Sequence, residues 1–266
     1  MRLSVAFAVV LLGASLDALP GAFDILPGAF AVLPGASPLA AQMVTIPLGG
    51  PKTERPSPNR WLLGSPAAVA AAVATRDRPS AMVDLDEARQ PVEVLGFLGM
   101  AIGARVLDLT AEPGYFAEII GKAIGSNGRV TILVPPAAMQ DPTQRTVISG
   151  VVGRSPNVSV LAVSPATIRF APNVFDFAVA DLSSLGWPDS ADFIRKIFAA
   201  VRPGAFVGVV DDREQAGGAG DAGAVKAAFI RAGFVLDGET SVRPSATRET
   251  PAADAARFVL RFRKPE

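Results

Sequence analysis

The chain has 266 residues, 25 basic and 25 acidic, with neither cysteine nor histidine. Balanced charge offers no basic field for nucleic acid. The two missing residue types exclude thiolate nucleophiles, disulfides, Ser-His-Asp triads, histidine bases and the common zinc sites, so no metal is expected.

The N-terminus reads as a leader. Arg2 precedes an apolar run from Leu3 to Gly13, the length of a signal-peptide core and too short to span a bilayer. Leu-Pro-Gly-Ala then recurs at 19–22, 26–29 and 33–36. Pro-Gly in each repeat breaks any helix, so this is a low-complexity tract and not a coiled coil. Cleavage is expected near Ala40-Ala41-Gln42, and the expected destination is the periplasm. If translation starts at Met43 instead, the product stays in the cytoplasm. Residues 1–41 form the leader, 42–65 a Pro/Gly-rich flexible linker, and 66–266 the folded domain, with no stable membrane span once the leader is removed.

Within the domain, 66–75 is alanine-rich and helical. Ser80 caps a second helical start, and Pro91 opens a helix over 91–99. Strand 1 runs from Arg105 to Leu109, followed by a tight loop and a helix over 114–124 with Phe116, Ile119, Ile120 and Ala123 at helical spacing. Strand 2 is Arg129 to Val134, ended by Pro135-Pro136, and 137–150 is helical in part. Strands 3 and 4 are Val158–Val163 and Phe175–Ala180. A helix from Asp192 to Val201 is closed by Pro203-Gly204. Strand 5 is Phe206–Val210, with Asp211-Asp212 after it. A helix over 224–232 leads to strand 6, Gly233–Leu236. The segment 257–263 alternates as strand 7.

Alternating strands and helices predict an α/β, doubly wound, mostly parallel sheet covered on both faces. The connection 237–256 shows no helix, so a direct return makes strand 7 antiparallel. The unit around strand 1 is the strand–loop–helix in which such proteins hold a nucleotide-like cofactor.

Several segments carry a resemblance: VLDLTAEPGYFAEII (106–120), NVFDFAVADL (173–182), AAVRPGAFVGVVDD (199–212) and AAFIRAGF (227–234). Together they resemble the class I S-adenosylmethionine (SAM) methyltransferases, over about residues 80–265. PVEVLGFLG, Pro135-Pro136 and RFVLRFRKP are similar to a bacterial group of predicted methyltransferases with N-terminal leaders. The resemblance implies a seven-stranded Rossmann-like fold, SAM as cofactor and methyl transfer to an unidentified acceptor, a small molecule or another group.

It also assigns residues. Asp108 stands at the family's acidic position after strand 1, to order the loop and meet the amino group of SAM. Gly114 is the glycine kept from the family's Asp-x-Gly-x-Gly-x-Gly loop. It allows close backbone approach and starts a helix whose N-terminus favours anions. Thr110 and Glu112 stand where the family has glycine, and Pro113 lies beside them. A positive φ at either would cost about 1–2 kcal/mol. Glu112 would repel the methionine carboxylate and attract the sulfonium. Asp181 follows strand 4, where ligands gather at strand carboxyl ends, and serves either the ligand or a turn. Asp211 and Asp212 are further pocket candidates, and Trp187 either lines the cleft or covers the sheet. Tyr115 reads as packing. The acid that holds the ribose at the end of strand 2 is missing, since Val134-Pro135-Pro136 occupies its place; Asp141 is the next acid along the chain. The alternative to an enzyme is a non-catalytic, methyltransferase-like envelope protein that binds another ligand or a protein partner.

Overall fold

The computed structural model describes residues 65–112, 114–181, 185–186, 190–212, 222–242 and 257–266. The leader, most of the linker, Pro113, Trp187 and the side chain of Asp212 lie outside the described residues. No described helix is long and apolar enough to cross a membrane.

Helices α1 (Ser65–Val73), α2 (Ser80–Val83), α3 (Asp86–Arg89) and α4 (Pro91–Leu98) precede strand β1 (Arg105–Leu109). Then come α5 (Tyr115–Ile124), β2 (Arg129–Val134), α6 (Pro136–Gln140), α7 (Pro142–Arg154), β3 (Val158–Ala162) and β4 (Phe175–Ala180). Helix α8 (Ala191–Ala200), β5 (Val201–Asp212), α9 (Ala222–Arg231), β6 (Val235–Val242) and β7 (Arg257–Arg263) complete the domain. The seven strands form one sheet in the order β3-β2-β1-β4-β5-β7-β6. β7 is antiparallel to both β5 and β6, and the pairs β1–β2, β1–β4, β2–β3 and β4–β5 are parallel. The expected doubly wound fold with an antiparallel last strand is therefore the fold observed.

Burial on two faces explains the unbroken apolar runs of the central strands. Val106, Phe177, Val179, Phe206 and Val210 pack on one face with Leu95, Leu98, Ile119 and Ile120. Leu107, Leu109, Ala178, Val207 and Val209 pack on the other with Ile194, Ile197, Val225 and Phe229. The alternation follows the two-residue period of a strand. It puts Asp108, in step with Val106, on the face that α5 covers. At the amino ends of the strands, buried Asp176 accepts from the Arg105 N–H at 2.8 Å and from Arg202 Nε at 2.5 Å. One carboxylate thus ties β1, β4 and β5 together.

Four points differ from the sequence reading. Ser80, expected as a cap, is the first residue of α2, whose N-cap position is Pro79 with no side-chain bond. β5 starts at Val201, not Phe206, because Pro203-Gly204 is a bulge within the strand and not a stop. Val201 pairs with Phe175 and Phe206 with Phe177, and Gly204, at φ +75°, supplies the turn that absorbs the extra residues. β6 runs to Val242 and not Leu236. Its outer residues are polar because it is the sheet edge, and only the pairing with β7 reveals it. The helix expected over 137–150 is two helices, divided at Asp141, whose Oδ1 accepts from the Gln144 N–H at 2.7 Å as an N-cap.

Candidate cofactor-binding site

Asp108 is fully buried near the carboxyl end of β1. Its Oδ1 accepts from the Thr110 N–H at 3.0 Å and from Thr110 Oγ1 at 2.8 Å. Its Oδ2 has no hydrogen-bond partner among the described residues. Burial pushes the Asp108 pKa up to about 6. The two Thr110 bonds oppose that rise, the negative charge of Asp181 adds to it, and a weaker attraction from the Ala117 N–H opposes it. A buried carboxylate oxygen left unpaired costs about 1–3 kcal/mol or more. The arrangement suits a carboxylate kept for a cationic donor that none of the described residues provides.

The loop after β1 is held from two sides. Thr110 is buried and closes on Asp108, while the Ala111 N–H donates to Asp181 Oδ2 at 2.5 Å. Asp181 therefore reaches the loop after β1 from the end of β4. Neither Thr110 nor Glu112 has a positive φ, so the backbone strain considered for them does not arise. Gly114 does need its freedom: it is the N-cap of α5 with φ +102°, and a Cβ there would lie 2.8 Å from Val151 Cγ2.

Glu112 settles in a direction the sequence left open. It forms an ion pair with Arg89 of α3, away from the cleft, and its side chain is half exposed. Arg89 also lies over the ring of Tyr115, 4.8 Å from the ring centroid. Tyr115 is buried and donates its hydroxyl to Asp86 Oδ1 at 2.7 Å. Asp86 is in turn gripped by Arg78, whose Nη1 and Nη2 lie 2.6 and 2.7 Å from its two oxygens. Tyr115 is thus both a packing residue, as expected, and one member of a polar clamp. The clamp fastens α2 and α3, which contain no buried residue of their own, to the start of α5. Sequence reasoning missed Arg78, Asp86 and Arg89 as site neighbours. Four-residue helices with no apolar stripe carry no periodic signal to place them.

At the carboxyl ends of β1 and β2 lies a cleft of about 330 Å3. Leu109, Thr110, Leu133, Val134, Pro135 and Leu185 line it, and among the described residues no charged one does. Asp141, the next acid after β2, is spent on capping α7. Among the described residues the cleft therefore offers an apolar slot and no carboxylate. Asp211 lies near the carboxyl end of β5 and is not among the residues that line this cleft.

Solved structures share this architecture. A SAM-dependent methyltransferase from Aquifex aeolicus aligns over 74% of this chain and 97% of its own, at 18% identity and a TM-score of 0.54. One from Mesorhizobium loti aligns over 66% of this chain and 98% of its own, at 14% identity and a TM-score of 0.50. An N-methyltransferase 2 of Haemonchus contortus, solved with phosphomonomethylethanolamine and S-adenosylhomocysteine, aligns over 72% of this chain and 58% of its own, at 14% identity and a TM-score of 0.52. No protein-family model matches the chain, and no curated protein matches it in sequence. At these identities the likeness is one of fold: the chain has the Rossmann-like fold of the SAM-dependent methyltransferases.

Proposed function

We propose that the chain binds SAM at the carboxyl ends of β1 and β2 and transfers its methyl group to an unidentified acceptor. The observation that carries this reading is Asp108, a buried carboxylate with one oxygen unused, bonded to a loop that lines an apolar cleft. Asp108 Oδ2 accepts from the ligand's ammonium group. The positive end of α5, opened by Gly114, favours its carboxylate. Leu133, Val134 and Pro135 pack against the adenine. The negative charges of Asp108 and Asp181 favour a sulfonium over a neutral sulfide. The reactive methyl comes with the ligand, and the protein contributes position, which is most of what such a transfer requires. The lack of histidine and cysteine is no obstacle to that chemistry.

A second reading is supported by the apolar end of β2. With Val134-Pro135 where a ribose-binding acid is usual, the cleft suits a ligand without a diol, and the protein would then be a non-catalytic envelope binder, a pseudoenzyme. The export proposed from residues 1–41 accords with that reading, since it separates the protein from cytosolic SAM. Isothermal titration of the purified chain with SAM and S-adenosylhomocysteine discriminates between them. Micromolar binding of SAM that is lost in Asp108→Ala, with the variant still folded by circular dichroism, is the expected result. A heat signal that stays flat at millimolar SAM would sink the methyltransferase reading.

A further inference from the structure

A second cavity, also about 330 Å3, lies at the opposite ends of the strands, where β2 and β3 begin. Lys122, Ser126, Arg129, Arg154, Ser155 and Asn157 line it together with glycines and Pro156, and among the described residues no acidic one does. Ser155 is buried, and its hydroxyl has no hydrogen-bond partner among the described residues. A cavity walled by three cations and holding an unsatisfied hydroxyl is a place for an oxyanion.

The surrounding chemistry has been arranged to leave that wall positive. Helices α5 and α7 both end here, and helix C-termini carry partial negative charge. That charge is covered. Asn157 Nδ2 donates to the carbonyls of Gly121 and Gly125 at 2.8 and 3.0 Å, and the Gly103 N–H donates to the Ile124 carbonyl at 2.8 Å. Two acids stand nearby, and both lie outside the lining. Buried Glu118 accepts from Arg154 Nε at 3.0 Å and Nη2 at 2.9 Å, and its Oε1 is 3.5 Å from Lys122 Nζ. Asp77, from the segment after α1, pairs with Lys122. Lys122 is thereby satisfied by Thr75, Asp77 and Glu118, and serves as background charge. Arg154 keeps Nη1 for another partner. Arg129 spends only Nη1, on the carbonyls of Ser126 and Gly128, and keeps Nε and Nη2. Three guanidinium nitrogens, Arg154 Nη1 and Arg129 Nε and Nη2, and the Ser155 hydroxyl are thus available as donors.

We propose that this cavity is a binding site for a phosphate monoester group, separate from the cleft at the carboxyl ends of the strands. Arg129 and Arg154 hold the phosphate oxygens, Ser155 donates the bond that it otherwise lacks, and Glu118 fixes the Arg154 fork in place. The volume leaves room for an organic substituent beside the phosphate.

The probe is inorganic phosphate, titrated into the full chain and followed by amide chemical shifts, with chloride at equal ionic strength as control. Saturable shifts are expected at residues 121–129 and 154–158 and not at 108–114. Arg129→Gln, an exposed position, should weaken phosphate about tenfold, and Ser155→Ala about fivefold. Flotation with phosphatidylcholine vesicles, with and without phosphatidic acid, identifies the source. Flotation only with phosphatidic acid means that the monoester is a lipid headgroup, and none with either means a soluble one. Equal affinity in wild type and both variants, or the same shifts with chloride, overturns the proposal. The charge-neutral Ser155→Ala separates a built site from diffuse attraction, because it leaves the cations untouched.

Discussion

Asp108→Asn should make the protein more stable at neutral pH and somewhat less stable in acid. The Asp108 pKa is about 6 in the folded chain against an ordinary value of 3.8. The folded state therefore holds its proton through a window in which the unfolded state has lost it. An acid raised in this way contributes least strain below 3.8, and its contribution to stability falls as pH rises toward about 6. Across the whole window the loss is about 3 kcal/mol, at about 1.36 kcal/mol per pH unit. Asparagine keeps the acceptor that Thr110 uses and removes the charge, but its amide N–H groups replace the unpaired Oδ2 and cost about 1–2 kcal/mol. The net gain at pH 7.5 is therefore about 1–2 kcal/mol. Chemical denaturation of both proteins at pH 4.5 and 7.5 tests this. The stability difference should grow in favour of the variant by about 2 kcal/mol between the two conditions. A difference that does not change with pH, or one that favours the wild type at pH 7.5, refutes the claim that the buried carboxylate is strained.

Other outcomes follow from the same geometry. SAM affinity should fall about tenfold for each pH unit below about 6, because a protonated Asp108 cannot accept from the ligand's ammonium group; calorimetric titrations between pH 5 and 7.5 would show a flat profile if Asp108 plays no part. Gly114→Ala should cost about 2–4 kcal/mol, from the positive φ and the clash with Val151 together, and a denaturation midpoint equal to wild type would contradict that geometry. Tyr115 is the only tyrosine, and burial first, then its bond to Asp86, push its pKa well above the usual 10. In alkaline titration its tyrosinate absorbance should emerge only with unfolding, whereas an independent titration near pH 10 would mean that the hydroxyl is exposed. The sign is again that of a raised acid: stability falls as pH rises past the unfolded value.

The sheet was legible wherever both faces are buried. β1, β2 and β4 read as apolar runs because every side chain in them needs cover, and the missing helix between β6 and β7 foretold an antiparallel return. β6 was cut short because Asp237, Gly238 and Glu239 look like a turn. They form a strand because Arg261 and Lys226 neutralise the acids and β7 supplies the backbone bonds. Around the loop after β1, the sequence marks Asp108 and Asp181 near strand ends and Gly114 at the start of α5, and the structure places them there. The direction of Glu112 was not legible. It depends on Arg89, which the clamp through Asp86 and Arg78 holds in place, and such a contact between short polar segments leaves no trace in spacing. Asp141 shows the converse: an acid near the right place is occupied by a helix cap.

The place of β7 in the sheet has a consequence for how the molecule is made. β6 touches the sheet only through β7, so residues 235–242 have no backbone partner until 257–263 have left the ribosome. The sheet therefore cannot close until β7 is available. A stop codon ahead of Arg257 would remove the anchorage of two strands and leave β5, with buried Val207 and Val209, as a raw edge. Such a product should aggregate rather than persist as a smaller domain.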